Sequence, residues 1–147
     1  GPAMNLENEA ATTAAGEKLA SLLQAGDVVT LSADLGAGKT TMVRGLLQAL
    51  GHDGEVPSPS FAIVQPYEQL DPPVRHADLF RVESASELAE LGLDSLADSV
   101  LVVEWPERAG YDAWPDALRL SLEITGPRQR RLTAQVPAAW EGRWPPR

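Results

Sequence analysis

Apolar positions along this chain alternate between a helical period near 3.6 and a strand period of two, and the switches mark its elements. Residues 6–24 read as a helix. Leu19, Leu22 and Leu23 form its apolar stripe, Asn8 stands where an N-cap belongs, and Gly26 follows as a stop signal. Residues 27–33 read as a strand apolar enough to be buried on both faces, as parallel strands are. Helical spacing returns over 39–50, with Met42, Val43, Leu46, Leu47 and Leu50 on one side and Gly51 closing the run. Pro57 and Pro59 then hold a loop extended. Residues 61–64 read as a strand, and Pro66 ends it or confines its continuation to a sheet edge. A hairpin with a strand over 74–80 is expected, joined through 69–73.

Ser84, with Glu87 three residues on, starts a short helix over 84–91 that Gly92 ends, and 94–98 is expected to add a turn. Residues 100–104, Val-Leu-Val-Val-Glu, form a buried strand ending in an acid. Over 118–124, Leu118, Leu120, Leu122 and Ile124 share one face. A further strand is expected over 131–136, with Gly126-Pro127 at the turn between the two. The whole predicts an α/β fold in three layers: a mixed central sheet with an antiparallel extension, flanked by helices. No internal repeat is visible.

Composition narrows this. With 147 residues and 44% hydrophobic content, the chain is long enough for one domain with a real core. That domain is expected over 4–138. Gly1-Pro2-Ala3 before Met4 looks like a protease-cleavage scar, and 139–147, rich in Pro and Trp, read as a loose tail. No apolar run is long enough for a bilayer and no secretory signal is visible, so a cytoplasmic protein with no membrane partner is expected. Absence of cysteine excludes disulfides and thiolate metal sites. The net charge of −9 disfavours a free-standing nucleic-acid binder, which is basic over at least one face. The dense basic cluster is Arg128, Arg130 and Arg131. An acidic protein that binds a polyanion needs a local device.

Residues 31–41, LSADLGAGKTT, supply one. A strand, a glycine-spaced turn and a helix succeed each other, with two glycines flanking Ala37, so successive backbone N–H groups can curve around an anion at the positive end of the helix. Lys39 can reach the β- and γ-phosphates of a nucleoside triphosphate, the Thr40 hydroxyl can ligate Mg²⁺, and Thr41 follows in the first turn. The phosphate-loop pattern G-x-x-x-x-G-K-[ST] asks for glycine where this chain has Ala33. That replacement requires negative φ at the strand end.

Other candidates carry two readings each. In the stretch 76–81, HADLFR, a strand would put His76, Asp78 and Phe80 on one face. Asp78 then partners Mg²⁺ or its waters, or else caps a turn beside a core histidine. Glu104 holds Mg²⁺ through water or orients an attacking water, or is a simple strand cap. Trp105 packs, or stacks on a base. Thr12 touches a ligand, or is helix filler. An arginine of 128–131 stabilises nucleotide charge, or the cluster is a solvated face.

With these pieces placed, the chain resembles the bacterial TsaE (YjeE) family, ATPase components of the machinery that makes threonylcarbamoyladenosine next to the tRNA anticodon. The resemblance runs from about Asn8 to about Val136. It rests on LSADLGAGKTTMVRGLLQALG, on Ser58-Pro59-Ser60-Phe61, on HADLFR and on Glu104-Trp105-Pro106, in that order and spacing. It implies a P-loop NTPase fold, ATP and ADP as ligands with Mg²⁺, and hydrolysis that is weak alone. It also implies action within a complex with the TsaD and TsaB proteins, which brings tRNA only indirectly. By resemblance, Asp34 to Thr41 hold the phosphates, Lys39, Asp78 and Glu104 are the catalytic set, and Thr40, Glu104 and Asp78 serve the metal. Thr12 approaches the nucleotide and Arg131 reaches its base or ribose. Ala33, Ser60 and Phe80 stand where the family usually has glycine, threonine and tyrosine. The alternatives are a small-molecule kinase with 128–131 as its lid, and a nucleotide-gated interaction module with negligible turnover.

Overall fold

The computed structural model describes residues 3–34, 36–56, 64–93, 98–110 and 112–145. Seven strands form one mixed sheet: β1 (Ala3–Leu6), β2 (Val28–Ala33), β3 (Val64–Tyr67), β4 (Val74–Asp78), β5 (Val100–Glu104), β6 (Leu118–Ile124) and β7 (Arg130–Gln135). Their order is β1-β7-β6-β2-β5-β4-β3. The central strands β6, β2, β5 and β4 run parallel to their neighbours within that set, and β1, β7 and β3 pair antiparallel at the flanks.

Helices α1 (Glu9–Ala20) and α2 (Lys39–Ala49) pack together on one face of the sheet. Alternation along the strands decides what meets them. Val29 and Leu31 of β2, Val100 and Val102 of β5, and Leu118, Leu120 and Leu122 of β6 join Leu19, Met42, Leu46 and Leu47 in the larger core. The opposite set, Ala77, Leu101 and Val103, forms a smaller core with Leu79, Val82 and Leu93, against which Leu88 of the short α3 (Ala85–Glu90) packs.

Two glycines set how closely the helices cross. A Cβ on Gly16 would lie 2.0 Å from the Met42 carbonyl oxygen, and one on Gly45 would lie 2.3 Å from that of Thr13. Both obstacles are backbone, so the crossing tolerates no side chain at either position.

Most elements fall where the pattern placed them. Asn8 caps α1, its Oδ1 accepting from the Ala11 N–H at 2.9 Å, and Ser84 caps α3, its Oγ accepting from the Glu87 N–H at 3.2 Å. The pairing of Pro66 with Arg75 in the edge strand β3 leaves its missing donor harmless. Three expectations need correction. The first helix does not begin at residue 6: Leu6 ends β1, whose partner β7 lies more than a hundred residues away. Ile124 ends β6 exposed, where the alternation put it on the apolar face. The segment read as a loose tail packs instead. Trp140 is 1% exposed, Trp144 is buried with it, and Arg143 donates to Asp27 and to the Leu22 carbonyl oxygen. Phe61, placed in a strand, and the turn expected over 94–98 fall wholly or mainly outside the described residues. No helix among the described residues is long and apolar enough to cross a membrane.

Candidate phosphate-binding site

β2 ends at Ala33, the chain turns through the glycine loop, and α2 begins at Lys39. Ala33 does not have positive φ, so its side chain costs the loop no strain, whereas Gly36 (φ 82°) and Gly38 (φ 100°) occupy the left-handed region. Gly38 is also the N-cap of α2, and no side chain caps that helix. The contrast with α1 and α3, each closed by its own cap, is informative. The first-turn amides of α2 receive no side-chain cap and face no acidic residue in that turn, the arrangement of an anion-accepting helix end.

Lys39 is buried. Its Nζ donates to the Ala33 carbonyl oxygen at 3.3 Å and lies 4.0 Å from the centroid of the Trp105 ring. Trp105 is the one described non-glycine residue with positive φ (58°), and its ring also packs against Phe80 at 4.9 Å between centroids. The strand end is thereby bent so that the indole flanks the lysine.

The acids converge by register. β4 and β5 run parallel with Asp78 opposite Glu104, and Leu31 of β2 lies opposite Glu104 on the other side. Glu104 has the parity of Val100 and Val102, so it faces the helices and the loop. It is 4% exposed and hydrogen-bonded to His76 Nε2 at 2.5 Å. Asp78 is half-buried, and its Oδ1 accepts from the Phe80 N–H at 2.9 Å. Burial pushes the Asp78 carboxyl above the usual aspartate range, and the neighbouring Glu104 adds to this. The Phe80 N–H, Lys39 and His76 act in the opposite direction. Asp78 therefore caps its turn and belongs to the charged cluster at once, while His76 is a core histidine with a polar partner.

These oxygens suit a hard cation. Among the described residues no group of three or more His, Cys, Asp or Glu side chains is arranged to hold a metal by itself. Mg²⁺ fits such a site, since it is usually held by one or two carboxylates together with phosphate oxygens and water. Thr40, Asp78 and Glu104 are the residues that would serve it.

Beside the loop a cleft of about 570 Å³ is lined by Asn8, Thr12, Gly36, Gly38, Arg128 and Arg130, among others. Thr12 is buried there. Its hydroxyl donates to the Asn8 carbonyl oxygen at 3.4 Å, and its methyl faces Gly38, where an added Cβ would lie 3.7 Å away. Asp34 is exposed, and its carbonyl oxygen accepts from the Ala37 N–H at 3.2 Å. Thr41 lines the cleft, and Leu35 lies outside the described residues. A second cleft of about 470 Å³ on the other sheet face shares Asp34 and Trp105 with the site.

Arg131 requires correction. Its side chain is exposed and pairs with Glu123 at 3.7 Å, on the face opposite the loop. Arg130 is the arginine at the loop: Nε donates to the Ala37 carbonyl oxygen at 2.8 Å, and Nη1 donates to those of Gly126 and Gln129. The signal was present in the alternation. Leu132 and Ala134 face the core, so Arg130 shares their side and Arg131 does not.

Loop, uncapped helix and acid-ended strand together define a phosphate-loop α/β protein. The family model described as "Threonylcarbamoyl adenosine biosynthesis protein TsaE" matches residues 6–132. The chain belongs to the TsaE family. Curated relatives include the TsaE proteins of Streptomyces coelicolor (47% identical, covering 82% of this chain and 94% of the relative) and Bacillus subtilis (35% identical, 86% and 80%). Among solved structures it is similar to Bacillus subtilis YdiB, with a TM-score of 0.74 and 28% identity over 90% of this chain and 83% of that one.

Proposed function

We propose that this chain binds and hydrolyses ATP with magnesium, and that it does so for tRNA threonylcarbamoyladenosine formation in a complex with TsaD and TsaB, meeting tRNA only through that complex. The observation that carries the ATP reading is the convergence of Lys39, Asp78 and Glu104 at the carboxyl ends of β2, β4 and β5, beside a glycine loop and an uncapped helix. Family membership supports the pathway.

The residues divide the work by chemistry. Loop amides and the α2 N-terminus hold the phosphates, and Lys39, whose Nζ lies against Trp105, neutralises the terminal ones. Glu104, fixed in a buried strand end, orients the attacking water. Mg²⁺, held by Thr40, Asp78 and Glu104, would supply neutralisation of the phosphate charge. The cleft over Thr12 and Arg130 takes the nucleoside. A kinase lid built from 128–131 has less support, because Arg130 is committed to backbone carbonyls.

The test is phosphate release with and without TsaD and TsaB. Lys39→Ala is expected to abolish turnover and Glu104→Ala to reduce it sharply, with partner proteins stimulating the wild type. Unchanged turnover in both variants would remove the mechanism, and transfer of phosphate to a metabolite without partners would favour a kinase.

A further inference from the structure

The charged cluster contains one residue to which the mechanism above gives no task. His76 lies in β4 and is 1% exposed, with Nε2 at 2.5 Å from Glu104 Oε2. Its other ring nitrogen, Nδ1, is buried with no hydrogen-bond partner among the described residues. A bare lone pair in an apolar setting is cheaper than a stranded N–H, which would forfeit a full donor bond. The proton therefore belongs on Nε2, pointing at the carboxylate.

We infer that His76 is a positioning residue for Glu104: it donates from Nε2 to one carboxylate oxygen and so presents the other to the metal and its waters. The inference rests on the magnesium–nucleotide reading above. The geometry explains why a glutamate, with its rotatable stem, can act as a fixed element. Glu104 is anchored at its backbone by β5, which is paired on both sides. At its tip it is anchored by an imidazole that is itself enclosed, on a strand, β4, paired with both β5 and β3. Neighbouring strands supply the two partners, so their relative placement is set by sheet register. Metal-supporting groups of this kind, one bond removed from the ion, alter affinity or activity by about 10- to 100-fold when lost.

Two independent measurements test this. The chain contains two histidines, so the ¹⁵N spectrum of histidine-labelled protein is simple, and a His52→Gln variant assigns it. Without ligand, His76 is expected to carry a proton on Nε2, directed at the Glu104 carboxylate. A proton on Nδ1 instead overturns the inference even if no variant folds. ADP affinity is then measured by calorimetry with and without magnesium. His76→Leu is expected to leave metal-free ADP binding unchanged and to weaken the magnesium-dependent gain about tenfold. His76→Gln, whose amide can donate from a similar position, is expected to recover most of that gain. Retention of the full magnesium effect in folded His76→Leu, or a glutamine variant no better than leucine, overturns it. Failure of the wild type to bind ADP at all overturns the nucleotide reading itself, and the ¹⁵N result still decides whether the His76–Glu104 bond exists as described.

Discussion

Arg130 donates from Nε to the carbonyl oxygen of Ala37 at 2.8 Å, tying β7 to the phosphate loop across most of the chain's length. The same guanidinium reaches the carbonyl oxygens of Gly126 and Gln129 in the β6–β7 turn. A trans peptide directs its N–H opposite to its C=O. Holding the Ala37 oxygen on the arginine side therefore turns the Gly38 N–H the other way. Arg130→Ala is expected to cost about 1.5–3 kcal/mol of stability, the range for hydrogen bonds to a charged group, and to weaken ADP binding. Arg131→Ala removes only an exposed pair, and a change within about 0.5 kcal/mol is expected. Urea denaturation and calorimetry of the two variants distinguish them. Equal losses would contradict the assignment.

The crossing of α1 and α2 gives a second prediction. Gly16→Ala and Gly45→Ala each press a methyl against a carbonyl oxygen of the facing helix, and overpacking of this kind costs typically about 1–3 kcal/mol. The helices must part. Because Thr12 of α1 lines the cleft beside Gly38, nucleotide affinity should fall along with the denaturation midpoint. An alanine at either site that leaves both unchanged would show that the crossing is looser than described.

Asp78 yields a pH prediction. Its carboxyl is raised above the ordinary range, chiefly by burial, so the folded state holds this proton more tightly than the unfolded one. The associated stability is fully present below the unfolded value and is lost as pH rises through the folded value. At neutral pH the ionised carboxylate is thus a liability to the ligand-free fold. Asp78→Asn should melt at a higher temperature than wild type at pH 7, lose that advantage in acid, and lose ATP turnover. A lower melting temperature at pH 7 would show that the charge helps the fold.

Trp140 tests the packed terminus. It is 1% exposed within the larger core, and Arg143 lies against its ring at 4.0 Å. Trp140→Ala should cost about 3–5 kcal/mol, as for other large buried aromatics. A loss under about 1 kcal/mol would restore the loose tail.

Why some of this was legible in the sequence and some was not follows from distance along the chain. β2, the loop and α2 are contiguous, so period, glycines and Lys39 declare them locally. β5 declares itself by its apolar run. β1 could not be read, because its four residues form a strand only by pairing with β7, and the helix signal at Asn8 drew Leu6 into the wrong element. Strand parity correctly put His76 and Asp78 on one side. That Glu104 would meet His76 depends on β4 lying next to β5, which no local pattern states. Arg131 rests on the family resemblance alone, whereas the alternation, with Leu132 and Ala134 facing the core, points to Arg130. The tail lacked any period, and its burial is visible only once the sheet exists to receive two indoles.

The clasp between Arg143 and Asp27 lies just before β2, at the end of the parallel strands farthest from Ala33 and Glu104. One pole of the molecule thus carries the packed tryptophans and an ion pair, and the other gathers the glycine loop and the acids. Fluorophores or purification handles attached beyond Trp144 would start from the pole opposite the glycine loop and the acids.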